Sequence, residues 1–386
     1  MSLDWLIVGG GIHGVHIAAR LLGESGVTPE RLRIVDPGDR LLERWRICAA
    51  TVGMTRLRSP SVHHLDLNPS SLSSFAARRR RRDSKPFAGA YARPSLALFN
   101  AHSDHVMETF GLPDLHIQDR ATRGSVDCDG VEVLLSSGRT MAARNVVLAV
   151  GGGEQPEWPN WASRSLLGVH HVFDLGFDGW PSSTETVAVV GGGLSAAQTA
   201  LRLKREGHHV HLVSRHALRE HQFDSDSGWL GPKYMAGFSR ERDVAHRRTM
   251  ITEGRHRGSV PPGTRRALRG AVAQKQIFWH EGEVEALEGQ SDNLVLRLKT
   301  REELRADRVL LATGFSAGRP GGSMVETLIA SASLPCASCG YPVVDPQLRW
   351  HPRIRVSGPL AELELGPVAR NIAGARRAGD RLVGAA

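Results

Sequence analysis

The chain has 386 residues, enough for two domains at roughly 100–200 residues each. It is 41% apolar and 23% charged, a globular composition, and its apolar runs break well short of the ~20 residues a membrane helix needs. The net charge of +9 rests almost wholly on arginine, since Lys85, Lys204, Lys233, Lys275 and Lys299 are the only lysines, and no nucleic-acid-binding motif accompanies it.

The N-terminus, "MSLDWLIVGG", has Asp4 where a signal peptide carries basic residues, so a cytoplasmic location is expected. "DWLIVGGGIHGVHIAARLL" then reads as a buried strand, a glycine turn and a helix from about Ile12. The spacing Gly9-x-Gly11-x-x-Gly14 fits a dinucleotide fingerprint: a tight turn, a close backbone approach to pyrophosphate, and close helix–strand packing. The free N–H groups and dipole of the helix start favour an anion there. A second strand, "RLRIVD", ends at Asp36, placed to meet a ribose hydroxyl. A loop of this kind at the very N-terminus is usual where the ADP half of FAD is bound.

Further along, Arg78 to Arg82 form a dense basic run beside Asp83 and Lys85. It reads as a solvated arm or as a device steering an anionic cofactor or substrate. "NVVLAVGGG" at 145–153 is a strand with a glycine exit.

The same grammar returns at "TVAVVGGGLSAAQTALRLKREGHHVHLVSR", with Gly191-x-Gly193-x-x-Ala196 and Ser195 in the loop. Alanine is an allowed third member. The second strand ends in Ser214-Arg215 instead of an acid. A guanidinium can hold a 2′-phosphate in a bidentate pair, so Arg215 points to NADPH. One loop would keep a flavin and the other would bring the nicotinamide that reduces it.

"ADRVLLATGF" at 306–315 is another buried strand, ending at Thr313-Gly314, where the chain is expected to return to its first domain. The expected fold is α/β with two Rossmann-like dinucleotide-binding domains. Residues 1–182 and 309–386 would form a discontinuous FAD domain, with an NADPH domain at 183–308 inserted. Near the end, Gly366-Pro367 looks like the start of a helix, because proline is well tolerated at the first helical position. Its N-terminus would face the flavin pyrimidine edge, or the helix would simply pack.

Several stretches resemble the flavin-dependent N-hydroxylating monooxygenases that act on ornithine and lysine. They are "MTRLRSP…LDLNPSSLSSF" (54–75), "RPSLALFNAH" (93–102), "GGGLSAAQTALRL", "DSDSGWLGPKYMAGF" (224–238) and "LLATGF". The resemblance implies that Met54 and Leu57 lie beside the flavin and that FAD and NADPH are the cofactors. It implies that O2 adds to reduced flavin and that the C4a-hydroperoxide transfers one oxygen atom to a soft nucleophile of a small-molecule substrate. The lysine and asparagine by which that family holds its amino acid are missing from "RSPSVHHLD" and "SGWLG", and Leu194 replaces its usual loop glutamine. The ending "GPVARNIAGARRA" also departs from the family.

His63, His64 and Asp66 stand in the flavin-side stretch, and histidine titrates near working pH, so they are candidates for proton transfer or substrate contact as well as for structural hydrogen bonding. His170-His171 and His208-His209-His211 lack a convincing carboxylate or cysteine partner, and no metal site is expected. Cys336 and Cys339 form a C-x-x-C with too few ligands for zinc, which leaves an FAD/NADPH reductase of a disulfide, quinone or partner protein as the rival activity. A flavin-binding protein without catalysis is the third reading. Association into a homo-oligomer stays open.

Overall fold

A computed structural model describes residues 3–79, 85–290 and 292–383; Arg80–Arg82 of the basic run lie outside the described residues. The fold is α/β and is built on two sheets, the first mixed around a parallel centre and the second parallel.

In the first sheet the strands Arg349–His351, Ile354–Val356, Thr140–Leu148, Leu3–Val8, Leu32–Asp36 and His116–Gln118 lie side by side in that order. Leu3–Val8 runs parallel to both neighbours, with Trp5 opposite Leu32 and Asn145. Leu6 and Ile7 are fully buried, as a strand covered on both faces requires. Thr140–Leu148 is long enough to serve twice: its start pairs antiparallel with Val131–Leu135 and its end parallel with Leu3–Val8.

The second sheet is parallel throughout, in the order Ile277–Glu281, His209–Ser214, Thr186–Val190, Arg308–Leu311 and Val169–His171. It draws its edge strand from before residue 183 and extends past 308 to Leu311, so it is wider than the stretch read from the glycine loop alone. A short strand such as Val169–His171 carries no glycine signature, and only its pairing with Val309–Leu311 reveals it. An antiparallel layer, Val284–Gln290, Asn293–Leu298 and Glu303–Ala306, packs its leucines against Ala188, Val190 and Val213.

The C-terminus corrects one expectation. Gly366-Pro367 opens only a 3₁₀ turn, Pro367–Arg370, and the α-helix is Ile372–Val383. Asn371 is extended and breaks the run, and its Oδ1 accepts from the Gly374 N–H at 2.9 Å, which caps the helix proper. That helix lies on Ile12–Glu24: a Cβ on Gly379 would sit 2.6 Å from Arg20 Cδ. Residues 372–383 therefore return to the helix that follows the first glycine loop. Among the described residues no helix is long and apolar enough to cross a membrane.

Candidate functional site

The first glycine loop has a separate reason for each of its glycines. Gly9 has φ +110°, and a Cβ there would lie 2.6 Å from the Ala149 carbonyl oxygen. A Cβ on Gly14 would lie 1.8 Å from the Gly9 oxygen, so helix and strand could not approach. Gly11 has nothing within 4 Å of its missing side chain. It is also the N-cap of Ile12–Glu24, without a side-chain cap and without an acid in the first turn. The helix start therefore presents unsatisfied N–H groups to open space, which fits a dinucleotide diphosphate.

Asp36 lies at the expected strand end, but its carboxylate also shapes the loop. Oδ2 accepts from the Gly10 N–H at 2.6 Å and Oδ1 from the Gly38 N–H at 2.9 Å. His13, inside the loop, was not singled out by sequence. Its Nδ1 is 2.8 Å from Ser357 Oγ, its buried Nε2 has no partner, and burial pulls its pKa down to about 4.

The second loop repeats the construction. Gly191 has φ +154°, and a Cβ there would meet the Ala312 oxygen at 2.4 Å. Gly193 caps Leu194–Arg205 without a side-chain bond, and Ser195 and the buried Ala196 stand in its first turn. Arg215 is exposed just past the strand end. His216 was missed by sequence, although it follows Arg215 directly. Its ring reaches across the loop to within 3.1 Å of where a Gly192 Cβ would lie, and 3.0 Å from that of Gly258. Thr313 is engaged elsewhere: its hydroxyl donates to the Glu157 carbonyl and lies 3.1 Å from His171 Nε2. Gly314, at φ +91°, accepts from the Glu157 N–H at 3.0 Å. These two hold the preceding loop.

The flavin-side segment joins the two halves. Leu57 is buried in the first core, while Met54 packs on the second. Arg58, another residue missed, donates to the carbonyls of His221, Gln222 and Phe223 and to Ser259 Oγ, all at 2.6–2.9 Å. The chain's wealth of arginine hid it, because nothing local separates Arg58 from solvated neighbours.

Of the three candidates here, two are held in a structural network. His64 is buried, with Nε2 3.0 Å from the Pro69 carbonyl and Nδ1 accepting from the Asp66 N–H at 3.2 Å. Asp66 accepts from the Leu67 N–H at 2.7 Å and from Ser71 Oγ, which also lies 2.8 Å from His102 Nε2. Burial alone would raise the Asp66 pKa, but the bonds from Ser71 and Leu67 hold it below the usual carboxylate range. His63 differs, for it is only half-buried. Burial, then Arg376 and His64, lower its pKa to about 4 against the pull of Asp224, so it is neutral at working pH.

Gly366 and Pro367 face the second half of the chain: a Cβ on Gly366 would be 3.3 Å from Met235 Sδ, and the Pro367 oxygen accepts from Arg255 at 3.0 Å. Cys336 and Cys339 are free and exposed on one loop, and partial covering of the Cys336 thiol raises its pKa, which opposes a ready nucleophile. Among the described residues no three histidine, cysteine or acidic side chains are grouped to hold a metal.

Residues 6–153 match a family model described as FAD-NAD(P)-binding, and residues 104–253 match one described as pyridine nucleotide-disulphide oxidoreductase. No curated protein matches. Among solved structures, ornithine N-hydroxylase of Kutzneria sp. 744, with reduced FAD, NADP+ and L-ornithine, superposes with TM-score 0.79 at 16% identity, covering 100% of this chain and 99% of that one. L-lysine 6-monooxygenase of Pseudomonas syringae gives 0.75 at 18% identity, covering 99% and 98%. The bacillithiol disulfide reductase of Bacillus cereus gives 0.63 at 17% identity, covering 100% and 98%. At such identities the likeness is one of fold.

Proposed function

We propose that this FAD-dependent NADPH oxidoreductase, whose residues match family models described as FAD-NAD(P)-binding and pyridine nucleotide-disulphide oxidoreductase, is a monooxygenase. It would transfer one atom of O2 to a nitrogen, or another soft nucleophile, of a small molecule. The observation that supports this reading is the full-length superposition on N-hydroxylating enzymes at TM-scores of 0.79 and 0.75, against 0.63 for a disulfide reductase and 0.62 for a flavin monooxygenase of Stenotrophomonas maltophilia.

The residues fit FAD at the first loop, where Gly11 opens on free space and the helix start lacks a side-chain cap. When bound, FAD accepts a hydride and activates O2. The chain's own part is to bind and orient. Backbone N–H groups at Gly11–His13 would take the diphosphate, and Asp36 the ribose. Gly191, Gly193, Ser195 and Ala196 would receive NADPH, with Arg215 and His216 on the 2′-phosphate. His63, neutral and half-buried, would be the residue of this stretch that accepts a proton from a substrate, while His64 and Asp66 would position the segment that carries it. The amino-acid-holding lysine and asparagine are absent, so ornithine and lysine are not carried over. A cytoplasmic location belongs to the same proposal.

Anaerobic mixing with NADPH tests the premise. Flavin absorbance should bleach rapidly with NADPH and much more slowly with NADH; a protein without flavin, or one that NADPH leaves oxidised, removes the reading.

The disulfide-oxidoreductase family model keeps a second reading in view, in which Cys336 and Cys339 pass electrons to a disulfide, quinone or partner protein. Changing both to serine should leave NADPH turnover intact under the monooxygenase reading and abolish it under this one.

A further inference from the structure

Glu362 is the one acidic side chain fully buried among the described residues. It receives three guanidinium groups. Arg370 donates Nε at 2.7 Å and Nη2 at 3.0 Å, Arg248 donates Nη1, and Arg255 Nη2 lies 3.6 Å away. Arg248 and Arg255 come from helix Val244–Glu253 and the loop after it, Arg370 from the C-terminal 3₁₀ turn. Three cations on one carboxylate leave two positive charges uncompensated, on side chains that are no more than 23% exposed. Burying charge without a partner is costly, so the composition of this buried cluster calls for another anion.

The neighbouring groups do not supply it. Glu364 is already engaged by Arg247 at 2.9 Å and Arg381 at 2.7 Å. Asp224 is exposed and reaches Arg255 only at longer range, where Arg257 opposes it. The Cys339 thiol hydrogen-bonds Arg248 but, as a thiol, brings no carboxylate or phosphate charge. Burial, and next Arg370, lower the pKa of Arg255 to about 10.

The unused donors have a defined geometry. Arg248 Nε and Nη2, both without an acceptor, form the side edge of one guanidinium, the edge that takes a planar oxyanion through two parallel bonds. Its plane is set by stacking over the Tyr341 ring, 4.1 Å from the centroid. Arg255 Nε is likewise without an acceptor. The cluster borders the segment that Arg58 holds, since Arg58 donates to the Phe223 carbonyl and Ser225 bridges to Arg255.

We propose that Arg248 and Arg255, spaced by Glu362, form a subsite for a carboxylate of the substrate. The assignment to substrate rests on the monooxygenase reading of the junction; the anion chemistry does not. A cofactor phosphate is the other source of an oxyanion, and saturating NADP+ separates the two.

The test uses the full-length FAD-loaded protein and acetate as probe, at constant ionic strength made up with chloride, with and without saturating NADP+. Thermal midpoint and the flavin difference spectrum are read together. Acetate should give a saturable response that survives NADP+. Arg255→Met should weaken the apparent dissociation constant by about tenfold or more. Arg248→Lys keeps the charge but loses the two-pronged edge, and should weaken it too. No saturable response, a response unchanged in both variants, or one abolished by NADP+ overturns the subsite. The readings also fail separately. Acetate binding without oxygenated product keeps the subsite and removes the monooxygenase; oxygenation of carboxylate substrates that Arg255→Met leaves untouched does the reverse.

Discussion

The Ala149 carbonyl oxygen stands 2.6 Å from the point a Cβ on Gly9 would occupy. The strand end thus closes against the turn, and no side chain fits between them. Gly9→Ala should leave little flavin per polypeptide, since both the contact and φ +110° oppose it, at a cost of about 1–3 kcal/mol from the backbone alone. Gly11→Ala should behave differently. With φ −77° and nothing within 4 Å, it should keep a normal melting midpoint yet bind FAD about tenfold more weakly, because the methyl enters the ligand's space. Flavin content and apoprotein titration by flavin fluorescence check both.

Arg215→Ala should raise KM for NADPH by about tenfold or more and leave that for NADH nearly unchanged, as loss of a charge-assisted pair to one phosphate requires. His216→Ala should act in the same direction but more weakly. Steady-state kinetics with the two nucleotides decide.

The histidines of the flavin-side stretch should separate by phenotype. Asp66→Ala removes the acceptor for Ser71 Oγ and the Leu67 N–H and should cost about 1–2 kcal/mol of stability. His63→Ala should change stability by under about 1 kcal/mol and lower kcat on the order of a hundredfold. Denaturant unfolding beside turnover distinguishes a positioning residue from one that meets the substrate.

Acid should unfold the protein through its buried neutral histidines. Burial depresses His13 to about 4, and His16 and His102 to about 3. A histidine whose folded pKa is lowered is silent above its unfolded value of about 6.5. Below that the unfolded chain takes up the proton first, and each such group removes about 1.4 kcal/mol per pH unit down to its folded pKa. Unfolding midpoints should therefore be flat near pH 7–8 and fall steeply between about pH 6 and 4. His102→Gln should make that fall shallower.

Both glycine loops and their strands were legible in the sequence, because each loop glycine answers a local constraint that the spacing displays. The edge strand Val169–His171 was not, since only its pairing creates it. The helix start near Pro367 was misplaced by five residues because Asn371 caps from a position that resembles a helix interior. Arg58, Arg248 and Arg255 were invisible for a compositional reason: in a chain carrying 49 basic residues, a buried guanidinium looks like a solvated one until its partners are seen. His63 and His64 are adjacent in sequence, and only burial and the Pro69 carbonyl tell them apart.

The most direct measurement reduces the FAD-loaded protein anaerobically with NADPH, then mixes it rapidly with aerated buffer while recording the flavin spectrum. The account predicts a persisting oxygen-adduct absorbance, lengthened by bound NADP+, before oxidised flavin returns. Immediate return of oxidised flavin with stoichiometric peroxide, with NADP+ present or absent, would contradict it.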